Sequence, residues 1–467
     1  MTTSPVGAAI DHLESSWDRY LDQLKTLVRI PGVSAEPPPS EPLRRSAEAT
    51  KDVLVDAGFT GCEVIEFPGG HPYAYGEWLG APGAPTVLLY GHHDVQPPGR
   101  PEKWISPPYE PELRDGRLYG RGAVDDKAGV MMHVAACASY LRTSGKLPLN
   151  VKLIVEGEEE AGSNSLAAFL EKYREKLAAD VIVLTDTANL DVGIPSLTVS
   201  LRGIAAVKVE VDAITQPLHS GMWGGPVPDP VMALCRAIAE LTDAEGRIAQ
   251  KFWEGVTPLT DAERRDLAAL PFDENDFRKQ AGMVAGATLT GDPKMPVWGR
   301  LWRQPNVTII ALEARNIEGS SNQIVERAQA RVSVRVVPGQ SPERVADLLV
   351  EHFQTRVPWG LKVKVEREAT AGWWVTKPDG PAFEAAARAL EKGYGRKAVH
   401  IGAGGSIPFV EPFARVLGGL PALLMGVEDP SCNAHSENES LHVDDWKRGT
   451  RAAVYLYDEL SRLPKRK

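Results

Sequence analysis

The chain has 467 residues, 43% hydrophobic and 24% charged, with a formal net charge of −10. That length exceeds one ordinary core and predicts two or three domains. The acidic balance argues against a nucleic-acid partner, and no apolar run approaches the roughly 20 residues of a membrane span. The N-terminus lacks a basic start followed by an apolar stretch, so no signal peptide is read. The four cysteines are far apart and form no CxxC pair, which fits reduced thiols in a cytoplasmic protein.

In chain order, residues 10–29 carry Ile10, Leu13, Trp17, Leu21 and Leu24 at a helical period that ends before Pro31-Gly32. From 45 to 200, strand-like and helix-like segments alternate: strands at 86–90, 151–155 and 181–184, helices at 127–142 and 165–177. This pattern predicts an α/β sheet with helices on its faces. After Arg202-Gly203 the pattern changes. A strand at 207–211, a helix at 229–243, strands near 306–314 and 329–337, a helix at 341–355 and a strand at 361–366 give the β-α-β-β-α-β order of a ferredoxin-like sandwich. Residues 245–304 read as an insertion, partly helical and rich in charge and tryptophan. Helix and strand signals at 382–393, 407–416, 422–425 and 444–461 complete the first domain. The expected division is a first domain in two parts, 1–203 and 374–467, with 204–373 inserted.

Charged clusters fall at the carboxyl ends of the core strands, where sites gather in such sheets. His92-His93-Asp94 follows the apolar run Val87–Tyr90. In extended chain His92 and Asp94 share one face and His93 takes the other. A histidine beside a carboxylate suggests a metal ligand with its orienting partner, although a solvated strand end reads equally well from this segment alone. Asp125-Asp126 opens the 127–142 helix, where capping is the ordinary explanation for such a pair. Glu156-Gly-Glu158-Glu159-Glu160 follows another strand, and crowded anions of this kind are relieved by a cation. Leu184-Thr185-Asp186 ends a third strand, and His435 lies in a loop after 422–425. Histidine, aspartate and glutamate without cysteine suit zinc or a similar divalent ion.

Taken together, these segments resemble the di-zinc metallopeptidases that include carnosine-type dipeptidases, aminoacylase, acetylornithine deacetylase and succinyl-diaminopimelate desuccinylase, with the cytosolic carnosine-dipeptidase branch nearest. The resemblance is carried by Gly91–Pro97, Tyr119–Lys127, Glu159–Ser163, Leu201–Gly203, Leu218–Gly221, Val334–Pro338, Gly404–Pro408 and Ala434-His435, in the family's order. It implies a mixed-sheet α/β catalytic domain of the di-zinc exopeptidase kind and an inserted ferredoxin-like α+β domain for lid and dimer contacts. His92 and Asp186 would hold one metal, Glu160 and His435 the other, and Asp125 would bridge them. Glu159 would be the general base for a metal-bridging hydroxide, and Asp94 would orient His92. The Asp125–Asp126 peptide is expected to be cis. His219 would reach the partner subunit's site and stabilise the oxyanion, while Arg335, Asn322, Gly405 and Ser406 would bind the substrate's carboxylate end.

The resemblance thus implies a homodimeric dipeptidase with two divalent ions, zinc first and manganese or cobalt tolerated by the same ligands. One departure opens a second reading. Ala403 stands where the dipeptidase branch carries an acidic residue two places before the second glycine of Gly-Gly-Ser; if that acid holds a free substrate amine, its absence opens N-acylated or amidated amino acids as substrates. A catalytically inactive binding relative would have lost the base or a ligand, and neither is lost. His93, Cys432 and the tryptophans Trp253, Trp298, Trp302, Trp373 and Trp374 read as packing residues, and Arg335 read from its strand alone is a solvent-facing group.

Overall fold

The computed structural model describes residues 4–405 and 410–464. It divides into two compact units, one of residues 4–199, 376–401 and 410–464 and the other of residues 200–375 with 402–405.

In the first unit a mixed sheet has the strand order 60–65, 73–78, 150–156, 86–92, 181–184, 422–424, 196–201. The 86–92 strand runs parallel to both 150–156 and 181–184, pairing His92 with Glu156 and Tyr90 with Leu184. The 422–424 strand is parallel to 181–184, and the flanking pairs 60–65/73–78 and 73–78/150–156 are antiparallel. Central strands covered on both faces read as continuous apolar runs, which is the pattern of Val87–Tyr90 and Val151–Val155. The helix Lys127–Ser144 is buried from Lys127 through Tyr140 and packs between this sheet and the helices Pro5–Ser15 and Val443–Leu460. At about 25 cal/mol per Å² of apolar surface removed from water, this core is the main stabilising term of the unit.

The structure modifies several sequence expectations here. The 10–29 helix is two helices, Pro5–Ser15 and Trp17–Val28, broken at Ser16, whose N–H bonds to His12 O. Both halves bury their apolar faces in one core, so the hydrophobic period runs through the break and conceals it. The 165–177 helix is shorter, Leu166–Lys172, and the helix Glu41–Ala57, ended by Gly58 at φ +96°, was not marked by a distinct signal. The start of the expected 407–416 helix lies outside the described residues, and its described part is Val410–Val416.

The second unit has a four-stranded antiparallel sheet in the order 306–313, 327–336, 203–212, 362–371. With helices Pro230–Ala239 and Pro342–Arg356 packed against it, this is the ferredoxin-like sandwich. Val207, Val209 and Val211 are buried, whereas Lys208 and Glu210 on the alternate face are half-buried, as a sheet covered on one side requires. The last strand is longer than the expected 361–366, reaching Ala371. Between 245 and 304 lie short helices at Asp261–Ala269, Glu274–Gln280 and Val297–Arg303. Trp298 stacks on Trp302 at 5.0 Å between centroids, with Phe272 and Phe277 edge-on to Trp298, so these tryptophans are packing residues. Among the described residues no helix is long and apolar enough to cross a membrane.

Candidate metal centre

Three adjacent parallel strands of the first unit deliver His92, the 156–160 loop and Asp186 to one sheet edge. His92 is fully buried. Its Nδ1 lies 3.1 Å from Asp94 O and 3.3 Å from Asp94 Oδ1, and its Nε2 lies 2.9 Å from Asp125 Oδ1. The other Asp125 oxygen is 2.9 Å from His435 Nε2, which is also 3.1 Å from Glu160 Oε2. One carboxylate therefore spans two histidines. Asp94 does more than face His92: its two oxygens accept the backbone N–H groups of Glu159 at 3.2 Å and Glu160 at 3.0 Å. His93 turns away, with Nε2 2.9 Å from Pro72 O, and burial lowers it to about 4.

Three sets of donor atoms each lie within 4.8 Å of one another: His92, Asp125 and Glu160; His92, Glu159 and Asp186; and Asp125, Asp186 and Glu428. Ligand bonds of 2.0–2.1 Å in tetrahedral geometry place neighbouring donors about 3.3 Å apart. The spacings of 2.9–3.1 Å around Asp125 are of that size. Nitrogen and carboxylate donors without a thiolate suit zinc, manganese or cobalt. Cys432 is buried three residues before His435 and belongs to none of these sets.

The electrostatics point the same way. Burial opposes the charge of His92, yet Asp125 and Asp94 hold it protonated well above the ordinary range. Hydrogen bonds to Asp125 and Glu160 raise His435 to about 11. Burial, and then Asp186, push Glu159 well up, while burial and then Asp125 raise Asp186 to about 7. Carboxylates this crowded resist ionising together unless cations join them.

Hydrogen bonds hold the scaffold around the centre. Glu158 faces away, accepting from Ser165 N at 2.7 Å, from Ser165 Oγ and from His71 N at 3.3 Å. The Asp125–Asp126 peptide is cis, as the resemblance implied. Asp126 accepts His92 N at 3.2 Å, in a space where a Cβ at Gly91 would fall 2.5 Å from its Oδ2. Gln96 donates to Glu160 Oε2 at 2.8 Å. Sequence reasoning missed two acids. Glu439 accepts Arg121 Nη1 at 2.7 Å, Gly122 N at 3.0 Å, Val124 N at 3.1 Å and Asp125 N at 3.3 Å, and so fixes the loop that carries Asp125. Glu428 lies beyond the 422–424 strand; a core strand beside the one ending in Asp186 was the signal that could have found it.

Within the second unit, the strand Leu218–His219 pairs with Gln323–Ile324, and Ser220 N donates to Asn322 O at 2.9 Å. His219 is exposed, its Nδ1 accepting Gly221 N at 3.1 Å. His219 and Asn322 lie past the Asp212/Arg327 end of the central strand pair, whereas Arg335 sits at the other end, opposite Ile204. Eight residues of strand, about 27 Å, separate Arg327 from Arg335. Arg335 thus lies near one end of this strand pair, and Asn322 precedes the strand at its Arg327 end. Arg335 is half-buried rather than solvent-facing, and burial lowers it. Arg202 beside it donates through Nε to Gly404 O at 3.1 Å, next to the exposed Gly405. Ser406 lies outside the described residues.

The sequence matches the profile of Peptidase family M20/M25/M40 over residues 88–459. It is 36% identical over 360 residues to the cysteinylglycine-S-conjugate dipeptidase of Corynebacterium striatum, covering 77% of each chain. It is 28% identical over 471 residues to the Beta-Ala-His dipeptidase of Homo sapiens, covering 97% of this chain and 92% of that one. Its structure superposes on the di-peptidase Dug1p of Saccharomyces cerevisiae with a TM-score of 0.86 at 26% identity over the whole of both chains. The chain belongs to peptidase family M20/M25/M40.

Proposed function

We propose that this protein is a metal-dependent dipeptidase that cleaves the peptide bond next to a free carboxylate. The observation that carries the reading is Asp125, whose two oxygens face His92 and His435 while Glu159, Glu160 and Asp186 converge beside them. His92 and Asp186 would hold one divalent ion, Glu160 and His435 the other, and Asp125 would serve both. Zinc is the first candidate, with manganese and cobalt tolerated by the same donors. When bound, the ions polarise the scissile carbonyl and acidify water toward neutral pH. Glu159 takes the water's proton and passes it to the leaving amine, and Asp94 keeps His92 and the 159–160 backbone in register. Dipeptides are also the substrates named for the relatives above.

Arg335 with the Gly405-Ser406 loop is proposed to receive the substrate carboxylate, and His219 with Asn322 to serve the site of a second subunit. The placement of Arg335 near one end of the strand 327–336, with Asn322 before its other end, supports this division. The edge strand Asn306–Glu313 exposes Ile310 and Leu312 and supports a homodimer built through this unit. A cytoplasmic site of action agrees with the four unpaired cysteines.

Ala403 favours the second reading, an N-acyl-amino-acid amidohydrolase. A rate panel on the metal-loaded enzyme separates the two. Free dipeptides, N-acetyl and N-succinyl amino acids and amino-acid amides are compared by kcat/KM. Free dipeptides fastest is the expected result; acyl amino acids fastest replaces the dipeptidase reading by the second.

A further inference from the structure

His435 reaches the metal centre by a different route from the strand-borne ligands. His92 is buried at the end of a core strand, and Asp186 lies just past another. His435 is exposed, in a loop whose backbone is left-handed at Asn433, His435 and Asn438, with φ of +55°, +63° and +60°. Residues other than glycine persist in that region only where their surroundings hold them. The group that holds this loop from inside is Arg121, which is 1% exposed. Its Nη2 donates to Pro97 O at 3.1 Å and to Ser436 O at 3.2 Å, and its Nη1 to Glu439 Oε2 at 2.7 Å. Trp104 covers the guanidinium, its ring centroid 5.6 Å from Cζ. Each of the two carbonyls is one residue from a group of the Glu160–His435 pair. Ser436 follows His435, and Pro97 follows Gln96, whose Nε2 donates to Glu160 Oε2 at 2.8 Å and to Glu160 O at 3.2 Å.

We propose that Arg121 is the positioning residue that assembles the Glu160–His435 metal site, one nitrogen setting Gln96 and His435 in register. The inference rests on the two-metal reading. The ties of the other ligands do not pass through Arg121. Val124 N and Asp125 N both go to Glu439 Oε1, whereas Arg121 takes Oε2. His92 is held by Asp94 and Asp126. The His435 loop has further ties at the surface, Arg100 Nε to Glu437 Oε1 at 2.8 Å and Asn438 Nδ2 to Lys103 O at 2.9 Å. Exposed pairs of this kind hold a loop weakly, so its register depends on the buried guanidinium. A lysine would keep the charge opposite Glu439 but lacks the planar fork that reaches one carboxylate and two carbonyls together.

The test titrates metal-stripped wild type, Arg121→Lys and Arg121→Met with cobalt(II), counting bound ions and following visible absorbance. Wild type should take two ions. Both variants should bind one ion within about twofold of wild type and the other about 10- to 100-fold more weakly, the effect of losing a group that orients a ligand. In the metal-free Arg121→Lys protein, amide hydrogen exchange should quicken over 433–439 and stay unchanged over 86–92. Arg121→Lys serves if the methionine variant fails to fold. Equal weakening of both ions overturns the proposal, because it marks general loosening of the fold. Two ions bound as tightly as in wild type overturn it as well. Arg100→Ala is the surface control and should bind both ions normally; a loss matching that of Arg121→Lys would place the clamp at the surface and also overturn the proposal. A wild type that takes a single ion instead removes the two-metal reading on which the inference stands.

Discussion

Replacing Glu439 by glutamine tests whether the metal centre depends on the loop behind it. Glu439 is buried, as is its partner Arg121, and its two oxygens divide four donors between them. Oε2 takes Arg121 Nη1 and Gly122 N, and Oε1 takes Val124 N and Asp125 N. A glutamine side chain has one oxygen, so whichever way it turns, its NH2 group opposes two donors. Hydrogen bonds to a charged group contribute about 1.5–3 kcal/mol each, and breaking a buried ion pair by removing one partner costs about 3–5 kcal/mol. The variant should therefore lose about 3–5 kcal/mol, and at about 2–4 °C per kcal/mol its melting point should fall by about 6–20 °C. Because Asp125 N is among the donors, the metals should also bind about 10- to 100-fold more weakly, as when a residue orienting a ligand is removed. Thermal unfolding of the metal-free and metal-loaded forms, with chelator competition, reads both effects. A variant melting within about 2 °C of wild type and holding metal equally well would refute the argument.

Glu159→Gln should keep both metals and lose about 10²–10⁴-fold in kcat, the usual contribution of a general base; unchanged turnover would remove the assigned role. Metal affinity should rise with pH. His92 and His435 are held protonated in the metal-free protein, and each must release its proton to bind metal. Affinity is accordingly lost as pH falls and keeps climbing toward the raised value of about 11 for His435. Calorimetry in buffers of different ionisation enthalpy should record proton release on loading, and a proton-neutral titration would contradict it. If His219 serves the partner's site, mixing inactive His219→Ala with inactive Glu159→Gln should restore activity. About one quarter of the sites in randomly exchanged dimers would be intact, and no recovery despite demonstrated subunit exchange would refute the shared site. Leu312→Glu on the exposed edge strand should shift the protein toward monomer in light scattering; an unaltered dimer places the interface elsewhere.

The parts of the site that were legible in the sequence are those attached to core strands. Val87–Tyr90 is an apolar run because it is covered on both faces, so the chemistry at its end stood out. The same reasoning located Asp186 and the 156–160 loop. Glu439 and Glu428 sit in polar loops where an acid is unremarkable, and their significance depends on which backbone groups or carboxylates face them in space. The triplet Glu158-Glu159-Glu160 divides its labour by loop geometry: Glu158 is tied to Ser165 and His71, which the spacing of three glutamates does not encode. Arg335 and Asn322 are 13 positions apart in the chain and were grouped together by resemblance. Arg335 lies within the strand 327–336 and Asn322 before it, so register rather than proximity in sequence decides their separation. Ser16 interrupts a helix without interrupting its hydrophobic period, because both halves serve one core.

The measurement closest to the central claim is a titration of metal-stripped protein with zinc, following hydrolysis of a free dipeptide and bound metal in the same samples. No turnover without metal and full activity at two ions per chain are expected, with Asp125→Asn abolishing both high-affinity sites. Activity that survives stripping, or that saturates at one ion with Asp125→Asn still binding normally, would contradict a centre bridged by Asp125.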